Sequence, residues 1–415
     1  MYSKQMKKAL LTAIICTFAA LQSCSSGKRS FATAMKGTET TNSTTEYTAV
    51  IREIADKGEF WNTLFTLVSN GSSKENVCIS PLSAQLALSM TAAGATGETQ
   101  EQMYNAMQLT GDVNKSSKEI ISSIAAPNEQ CEVKIANSIW VNEKLDVKEN
   151  FINTNKEYFD AVVENVPFNK ATLERINSWC SEKTNGKIKS ILDEIKKDQR
   201  MFLLNALYFK GAWRKEFNEG NTQEKPFTCK DGTKVNVPMM NQSLRTSYYE
   251  DNAMQIASMP FKGGYQMLLI LPSEETGDAE LSKHLAGNFR NSLAQMTTCE
   301  VDLSMPRFKS EFSTSLKEPL KTMGAKRAFG DNAQFDGISD TPLFIDNVIQ
   351  KTYISVDEKG AEAAAVTAIS MALTSMPRPV EKKVMNLNRP FLYIITDYTA
   401  EKILFIGKVG NPNEK

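Results

Sequence analysis

The spacing of apolar and polar residues predicts helices early in the chain and a growing share of strands later. Apolar residues recur every three or four positions in several stretches, as expected of helices that bury one face. The clearest stretch begins at Ser80, which can cap a helix, continues with Pro81 in the first turn and ends at Gly94. The predicted helices span 47–67, 80–94, 149–159, 172–184, 278–296 and 315–323.

Strand-like runs lie between these helices and dominate toward the C-terminus. Several are apolar without interruption, which is typical of strands covered on both faces. The runs are 131–141, 201–210, 265–271, 301–305, 348–356, 391–397 and 403–409. Together with the helices they predict a mixed α+β fold. No linker, repeat or low-complexity stretch follows Val50, so we predict a single domain over 48–415.

Residues 1–47 differ in composition from the rest of the chain. Lysines precede an apolar run over 9–21 that is too short to span a bilayer comfortably, which is typical of a signal peptide, here 1–23. The sequence Leu21-Gln22-Ser23-Cys24 resembles a relaxed bacterial lipoprotein box, in which the cysteine is acylated; an ordinary secretory cleavage is the alternative. Residues 24–47 predict a flexible tether. We expect export across the inner membrane and an outer-membrane lipoprotein, periplasmic or on the cell surface.

Composition argues against nucleic-acid binding and against catalysis. The 48 Lys and Arg residues balance 48 Asp and Glu residues, so no net field attracts nucleic acid. The single histidine, His284, is predicted on the polar surface of a helix, and one histidine cannot form an HExxH zinc site. No GxSxG elbow or phosphate-binding glycine motif occurs. Beyond Cys24 the cysteines are odd in number and lack a CxxC pair. We expect no catalytic residue, cofactor or metal.

The segment 357–379 permits two interpretations. Its alanines alone favour a helix. With a period of two, one face is small or apolar throughout, whereas the other carries Glu362 and Ser370. The first face comprises Ala361, Ala363, Ala365, Thr367, Ile369 and Met371. A strand with such a face can enter between two existing strands without overpacking the core.

This segment resembles the hinge and reactive-centre loop of serpins, which begin with Glu, a variable residue and Gly, followed by a small residue, Glu and a run of alanines. Other blocks that resemble the family occur in the family's order along nearly the whole body. They are 76–83, 94–99, 205–213, 305–308, 388–391 and 406–412. The resemblance implies a serpin fold with three β-sheets, eight or nine helices and an exposed reactive-centre loop, in a monomer without a cofactor.

The resemblance also implies a mechanism. A target protease attacks the loop as a substrate, and after the cut the hinge side of the loop enters the large sheet. The implied hinge residues are Glu358, Gly360, Ala361, Glu362, Ala363, Ala364, Ala365 and Thr367. Counting from the hinge glutamate as in the family places the scissile bond between Thr374 and Ser375. The neighbours that would set specificity are Met371, Leu373 and Met376.

These residues indicate which proteases would be trapped. Thr374 preceded by Leu373 suits elastase-like or subtilisin-like enzymes. A shift of the cleaved bond to Leu373 or Met371 would admit chymotrypsin-like or papain-like enzymes. Arg378 is followed by proline, as is Met376, which argues against cleavage by trypsin there.

A second set of residues matches the family's sheet-opening region. Ser80, Ser83 and Asn205 match a polar cluster beneath the opening sheet, and Trp213 matches the residue near which insertion begins. Gln350 replaces a histidine that many members carry in this cluster. An amide does not titrate, so we expect sheet opening to be less sensitive to pH. Residues 115–124 offer only Lys115 and Lys118, so heparin binding is not expected.

Three other interpretations are weaker. A non-inhibitory serpin, acting as a protease substrate or a binding scaffold, would not need the small inner face of the loop. An enzyme would need a catalytic constellation that the sequence lacks. A purely structural lipoprotein would leave the alternation and the hinge glycine unexplained.

Overall fold

Eight α-helices and two β-sheets form the part of the chain described by this computed structural model, which comprises residues 58–125, 130–361 and 381–414. The helices are α1 (Phe60–Gly71), α2 (Pro81–Ala92), α3 (Gly97–Met107), α4 (Val113–Ala125), α5 (Glu149–Phe159), α6 (Lys170–Lys183), α7 (Asp278–Ala294) and α8 (Lys317–Thr322). Short 3-10 helices cover Glu219–Asn221 and Arg327–Phe329.

The strands divide into a nine-stranded and a six-stranded sheet. They are β1 (Val77–Ile79), β2 (Cys131–Asn142), β3 (Val162–Val166), β4 (Met201–Ala212), β5 (Gln223–Thr228), β6 (Lys234–Glu250), β7 (Met254–Pro260), β8 (Tyr265–Pro272), β9 (Thr297–Pro306), β10 (Phe308–Ser315), β11 (Asn347–Asp357), β12 (Gly360–Ala361), β13 (Lys382–Asn386), β14 (Phe391–Asp397) and β15 (Ile403–Val409). The larger sheet has the order β1-β15-β14-β8-β7-β6-β9-β13, with β5 beside β6, and the smaller has the order β10-β11-β12-β4-β2-β3.

The predicted α+β class and helix number agree with the described part of the structure. Three sheets were expected. The described strands form the six-stranded sheet and a nine-stranded sheet whose two groups of strands are joined by one strand. This strand is the 17-residue β6, which pairs with β5 and β9 over most of its length and with β7 at its end.

Helix α2 lies between the two sheets and is buried on nearly all sides. Its N-terminus forms as predicted, because the Ser80 side chain accepts a hydrogen bond from the Ser83 amide at 3.2 Å and Pro81 occupies the first turn. The helix contacts β2 and β4 of the smaller sheet and β15 of the larger one. Because protein surrounds it, apolar and small residues occupy all its faces. Its first turn therefore faces the smaller sheet, where the candidate site lies.

The structure matches some predicted elements closely and corrects others. Helix α5 and strands β14 and β15 have the predicted ends. Within the described residues, the helix predicted over 47–67 begins at Phe60, because Glu59 is extended, and it continues to Gly71. Polar residues that face solvent weaken the apolar pattern of α3, α4, β5 and β6, whereas β1 is a buried run of only three residues. Helices α3 and α4 and several strands were therefore not predicted. These strands are β1, β3, β5, β6, β7, β10 and β13.

The predicted signal peptide (1–23), the acylated Cys24 and the tether (24–47) lie outside the described residues. Within the part that is described, no helix combines the length and the apolar character needed to cross a membrane. All of the described residues belong to one compact unit.

His284 and the cysteines are less accessible than surface groups. His284 was predicted on the surface, but it is half-buried on α7, with Nε2 at 3.1 Å from Asp251 Oδ2. The five described cysteines are free and buried. Burial raises the pKa of Cys78 to about 11 and the pKa of Cys131 to about 12, so these thiols are poor nucleophiles at neutral pH.

Candidate functional site

Strands β11 and β4 are direct neighbours along most of their length and separate at one end. They pair in parallel over 347–353 of β11 and 202–208 of β4. Beyond this stretch β12 lies between them and pairs antiparallel with both. The six-stranded sheet is therefore closed along most of the β11–β4 seam, and two residues of a further strand already occupy its open end.

Only a glycine fits at position 360. The φ of Gly360 is +153°, and a Cβ built there would lie 2.1 Å from the carbonyl oxygen of Gly211 on β4. The obstructing atom is backbone within a paired strand, so it cannot move aside at low cost. Ala361 is fully buried and faces Val356 and Gly211. The first two residues between β11 and β4 are therefore the two smallest amino acids, glycine and alanine.

The turn that leads from β11 to β12 is held by Asp357 and Trp213. Asp357 Oδ1 accepts hydrogen bonds from the amides of Lys359 at 2.9 Å and Gly360 at 3.3 Å. The buried Trp213 donates from Nε1 to the Asp357 carbonyl at 2.9 Å, and its amide donates to the Lys359 carbonyl at 2.8 Å. Its indole stacks on Phe261 with ring centroids 4.3 Å apart. Trp213 therefore fixes the hinge turn against β4, near the position suggested by the sequence.

Glu358 in the same turn forms a buried ion pair. Its side chain is only 4% exposed, and its carboxylate accepts hydrogen bonds from Arg307 Nε at 2.7 and 2.8 Å and from Arg307 Nη2 at 2.6 Å. The Thr222 hydroxyl donates to the same carboxylate at 2.5 Å. Burial alone would raise the pKa of Glu358, but the hydrogen bonds from Arg307 and Thr222 outweigh it and the pKa is lowered. Arg307 belongs to the family-like block 305–308, but the sequence did not indicate this partner.

A buried, uncharged hydrogen-bond network lies at the middle of the seam. Gln350 of β11 and Asn205 of β4 are register partners, and Gln350 Nε2 donates to Asn205 Oδ1 at 2.6 Å. Gln350 also bonds the Ser80 amide at 2.8 Å and the Ser80 carbonyl at 2.9 Å. Asn205 Nδ2 donates to the Ser83 carbonyl at 3.1 Å and to the Ser83 hydroxyl. The structure thus brings together all four polar residues singled out in the sequence at the N-terminus of α2.

Asn137 of β2 is a fifth member of this network that the sequence did not indicate. It is the register partner of Asn205, and its Oδ1 accepts a hydrogen bond from Asn205 Nδ2 at 2.5 Å. Side chains of three adjacent strands, β2, β4 and β11, are therefore linked in one row across the sheet. None of these groups titrates near neutral pH.

This geometry allows one specific rearrangement. Adjacent strands lie roughly 4.8 Å apart, so a strand that enters between β4 and β11 must double their separation. The bond between Gln350 and Asn205 would then break, as would the backbone pairing along the seam. The network therefore stabilises the form of the sheet in which no strand is inserted between β4 and β11.

The other end of the segment that follows β12 is held by β13. This strand pairs in parallel with β9, and Lys382 binds Asp302 at 2.8 Å while Lys383 binds Glu250 at 2.7 Å. The predicted residues between β12 and β13 lie outside the described residues. They are Glu362, Ala363, Ala364, Ala365, Thr367, Met371, Leu373, Thr374, Ser375 and Met376. In the described part of the chain, no three His, Cys, Asp or Glu side chains are grouped so as to hold a metal.

The chain is similar in sequence and in fold to proteins of one family. The sequence profile of the family described as "Serpin (serine protease inhibitor)" matches residues 55–412. Human Serpin I2 is 32% identical over 357 residues, covering 82% of this chain and 87% of that protein. The native structure of the thermophilic serpin Tengpin is 34% identical with a TM-score of 0.79, covering 86% of this chain and 94% of that chain. Human thyroxine-binding globulin complexed with thyroxine shares the fold with a TM-score of 0.79 at 24% identity, covering 88% of this chain and all of that one.

Replacing Glu358 by Gln tests the ion pair with Arg307. We expect a loss of about 1–2 kcal/mol in urea unfolding at neutral pH, less than for a fully buried pair because Arg307 is 44% exposed. Because the pKa is lowered in the folded state, the stabilisation is complete above the ordinary value of 4.5 and disappears as the pH falls through the lowered value.

The control for this variant is Glu98→Gln, which removes the more exposed pair between Glu98 and Arg327. It should change the free energy of unfolding in urea by less than about 0.5 kcal/mol. A Glu358→Gln deficit that stays constant down to the lowest pH at which the protein remains folded would contradict the ion-pair account.

Proposed function

Because the chain belongs to the serpin family, we propose that it inhibits serine endopeptidases as a suicide substrate rather than acting as an enzyme. The observation that carries this proposal is the seam between β11 and β4, which is closed along its length and already holds Gly360 and Ala361 at one end. A strand that continues β12 would enter between β11 and β4 once these two strands separate. Its entry would add two ladders of backbone hydrogen bonds in place of one.

The register of β12 indicates where each loop residue would lie after insertion. Ala361 faces Val356 and Gly211, so continuing both pairings places Ala363 beside Ile354 and Ala365 between Thr352 and Leu207. These neighbours are buried core residues. The small face read from the sequence would therefore point into the core. Glu362 would lie on the opposite face, between the half-buried Ser355 and Lys210.

If the same register continued, Thr367 would lie between Gln350 and Asn205 in the inserted form. Insertion breaks the bond between these two amides, and the Thr367 hydroxyl would lie within reach of both. A hydroxyl can donate one hydrogen bond and accept others, so it suits two amide groups that have each lost a partner. We infer that, in the inserted form, the Thr367 hydroxyl takes the place of the hydrogen bond that Gln350 and Asn205 form in the native sheet.

The proposed chemistry begins as ordinary proteolysis. The serine hydroxyl of the protease attacks the Thr374 carbonyl, the bond to Ser375 breaks, the new amine leaves and Thr374 stays attached as an acyl ester. About a dozen inserted residues at ~3.3 Å each would then carry the attached protease on the order of 40 Å along the sheet. Distortion of its active site before deacylation would trap it. Leu373 and Thr374 favour elastase-like or subtilisin-like targets, with chymotrypsin-like or papain-like enzymes acting at Leu373 or Met371.

We also propose that Cys24 anchors the protein to the outer membrane after export. The support is the sequence Leu21-Gln22-Ser23-Cys24 and the polar tether that follows it. Metabolic labelling with a radioactive fatty acid should mark the wild-type protein and not a Cys24→Ser variant. Equal labelling of both proteins would exclude this anchor.

Incubation with elastase, subtilisin, chymotrypsin, papain and trypsin tests the inhibitory mechanism. We expect detergent-resistant covalent complexes with one or more of the first three enzymes and none with trypsin. Protein cut in the loop by a non-target protease should unfold at a much higher temperature than intact protein, because the cut loop gains strand pairing. Cleavage without a complex or a gain in stability would instead indicate a non-inhibitory serpin that serves as a substrate or binding scaffold.

An Ala365→Arg variant tests the direction of the inner face. The arginine would have to enter the core between Thr352 and Leu207, and burying an unpaired charge is costly. We expect cleavage at an unchanged rate with a several-fold loss of covalent complex on denaturing gels. The control is Glu362→Arg, which places the same side chain on the outer face and should retain most of the inhibition. Equal inhibition by both variants would contradict the proposed register.

A Thr367→Val variant tests the role of its hydroxyl. Valine has a similar shape but leaves buried amides without a partner in the inserted form, at a cost of roughly 1–3 kcal/mol. The loop-cleaved variant should therefore be less stable to denaturant than the cleaved wild type, while the two intact proteins agree. Thr367→Ser keeps the hydroxyl and should restore the stability of the cleaved protein. A deficit already present in the intact variant would show that the residue acts before insertion.

A further inference from the structure

The end of the seam between β4 and β11 that lies farthest from the hinge is held by the side chain of Asp346. This residue directly precedes β11, and its Oδ2 accepts hydrogen bonds from the amide of Met201 at 2.8 Å and from the amide of Arg200. In return the Asp346 amide donates to the Met201 carbonyl at 3.0 Å. Hydrogen bonds to a carboxylate are stronger than those between neutral groups. The start of β4 is therefore tied to the start of β11 by more than the backbone pairing of the sheet.

The Arg200 side chain adds a second link across the same end. Its guanidinium lies over the Phe344 ring, 4.4 Å from the ring centroid, and donates from Nη1 to the Pro342 carbonyl at 3.3 Å. Both partners belong to the segment that leads into β11. Asp346 is itself fixed on that side, because Lys317 of α8 donates to its carbonyl at 3.0 Å. Together the contacts of Asp346 and Arg200 across the seam form the distal clamp.

The distal clamp lies in the path of the last residues that would insert. If the register of β12 continued, Ile369 would lie within the parallel stretch of β4 and β11, whereas Met371 would lie between Asp346 and Met201. A strand that ends at Ile369 stops before the clamp. Residues 371–374 can enter only after the clamp has opened, and these four residues at ~3.3 Å each account for about 13 Å of the displacement.

We propose that Asp346 controls the last stage of loop insertion, because its bonds to the two amides hold the far end of the seam closed and their release limits the rate at which residues 371–374 enter. This inference rests on the proposed function. Asp346 acts through β4 and β11, so it is a positioning residue.

The rate of this stage decides the fate of the acyl ester. The attached protease is carried its full distance only when residues 371–374 have entered. Until then water can attack the Thr374 carbonyl, the ester bond to the protease serine breaks, and free protease and a Thr374 carboxylate result. The distal clamp therefore sets the share of cleaved molecules that end as covalent complexes.

Two synthetic peptides test the position of the barrier without a protease. One has the sequence of residues 363–374 and the other that of residues 363–369, each with an environment-sensitive fluorophore at its C-terminus that reports its arrival in the sheet of intact protein. Asp346→Ala removes two charge-assisted hydrogen bonds, so it should speed arrival of the long peptide about tenfold or more and change the short one less than about twofold. A general loss of stability would speed both peptides alike. Equal acceleration of both, or of neither, would overturn the proposal.

Two further variants separate the clamp from general stability. Arg200→Met removes the guanidinium but leaves its amide on Asp346, so it should speed the long peptide by a smaller factor, and it keeps the test open should Asp346→Ala fail to fold. The control is Asp397→Ala at the end of β14, which removes a half-buried carboxylate that accepts the amides of Glu401 at 3.0 Å and Lys402 at 3.2 Å. It should leave both peptides unchanged. An acceleration as large as that of Asp346→Ala would show that lost stability sets the rate.

The consequence for inhibition is measured on denaturing gels with subtilisin, at a temperature at which the wild-type protein yields both covalent complex and cleaved inhibitor. Asp346→Ala should raise the ratio of complex to cleaved inhibitor about threefold or more. An unchanged ratio, with the long peptide accelerated, would refute control of trapping while leaving the clamp as a barrier to insertion. Absence of complexes with every protease would overturn the proposed function, whereas the peptides would still decide whether Asp346 holds the seam.

Discussion

The pairing of β11 with β4 is the constraint on which the rest of the structure depends. Both strands belong to the interior of the six-stranded sheet, yet they are parallel neighbours that carry a third strand at one end. Backbone pairing and one side-chain bond between Gln350 and Asn205 hold them together. The same two strands therefore supply the stability of the intact sheet and the position that an inserted strand would occupy.

Two kinds of polar contact hold this seam, one at its open end and one at its middle. At the open end the hinge turn is held by an ion pair between Glu358 and Arg307, which depends on pH. At the middle the network of Ser80, Ser83, Asn205 and Gln350 is uncharged. Because Gln350 does not titrate, the acid sensitivity of these contacts is confined to the hinge.

Secondary structure was predictable where the local pattern is strong. Strands β14 and β15 are continuous apolar runs covered on both faces, and Ser80 with Pro81 is a strong helix start. Helix α3 and strand β6 lacked such signals, because their polar residues face solvent or pair across strands. Among the described residues, the helix predicted over 47–67 starts only at Phe60, because Gly58 and Glu59 are not helical.

The sequence by itself determined the family and the alternation of small residues along the loop, because these are properties of neighbouring residues. Only the tertiary structure decided that Arg307 binds Glu358 and that Asn137 joins Asn205. These partners are 51 and 68 positions apart in the chain. Strand register brings them together, and register follows from the packing of whole sheets rather than from any local pattern.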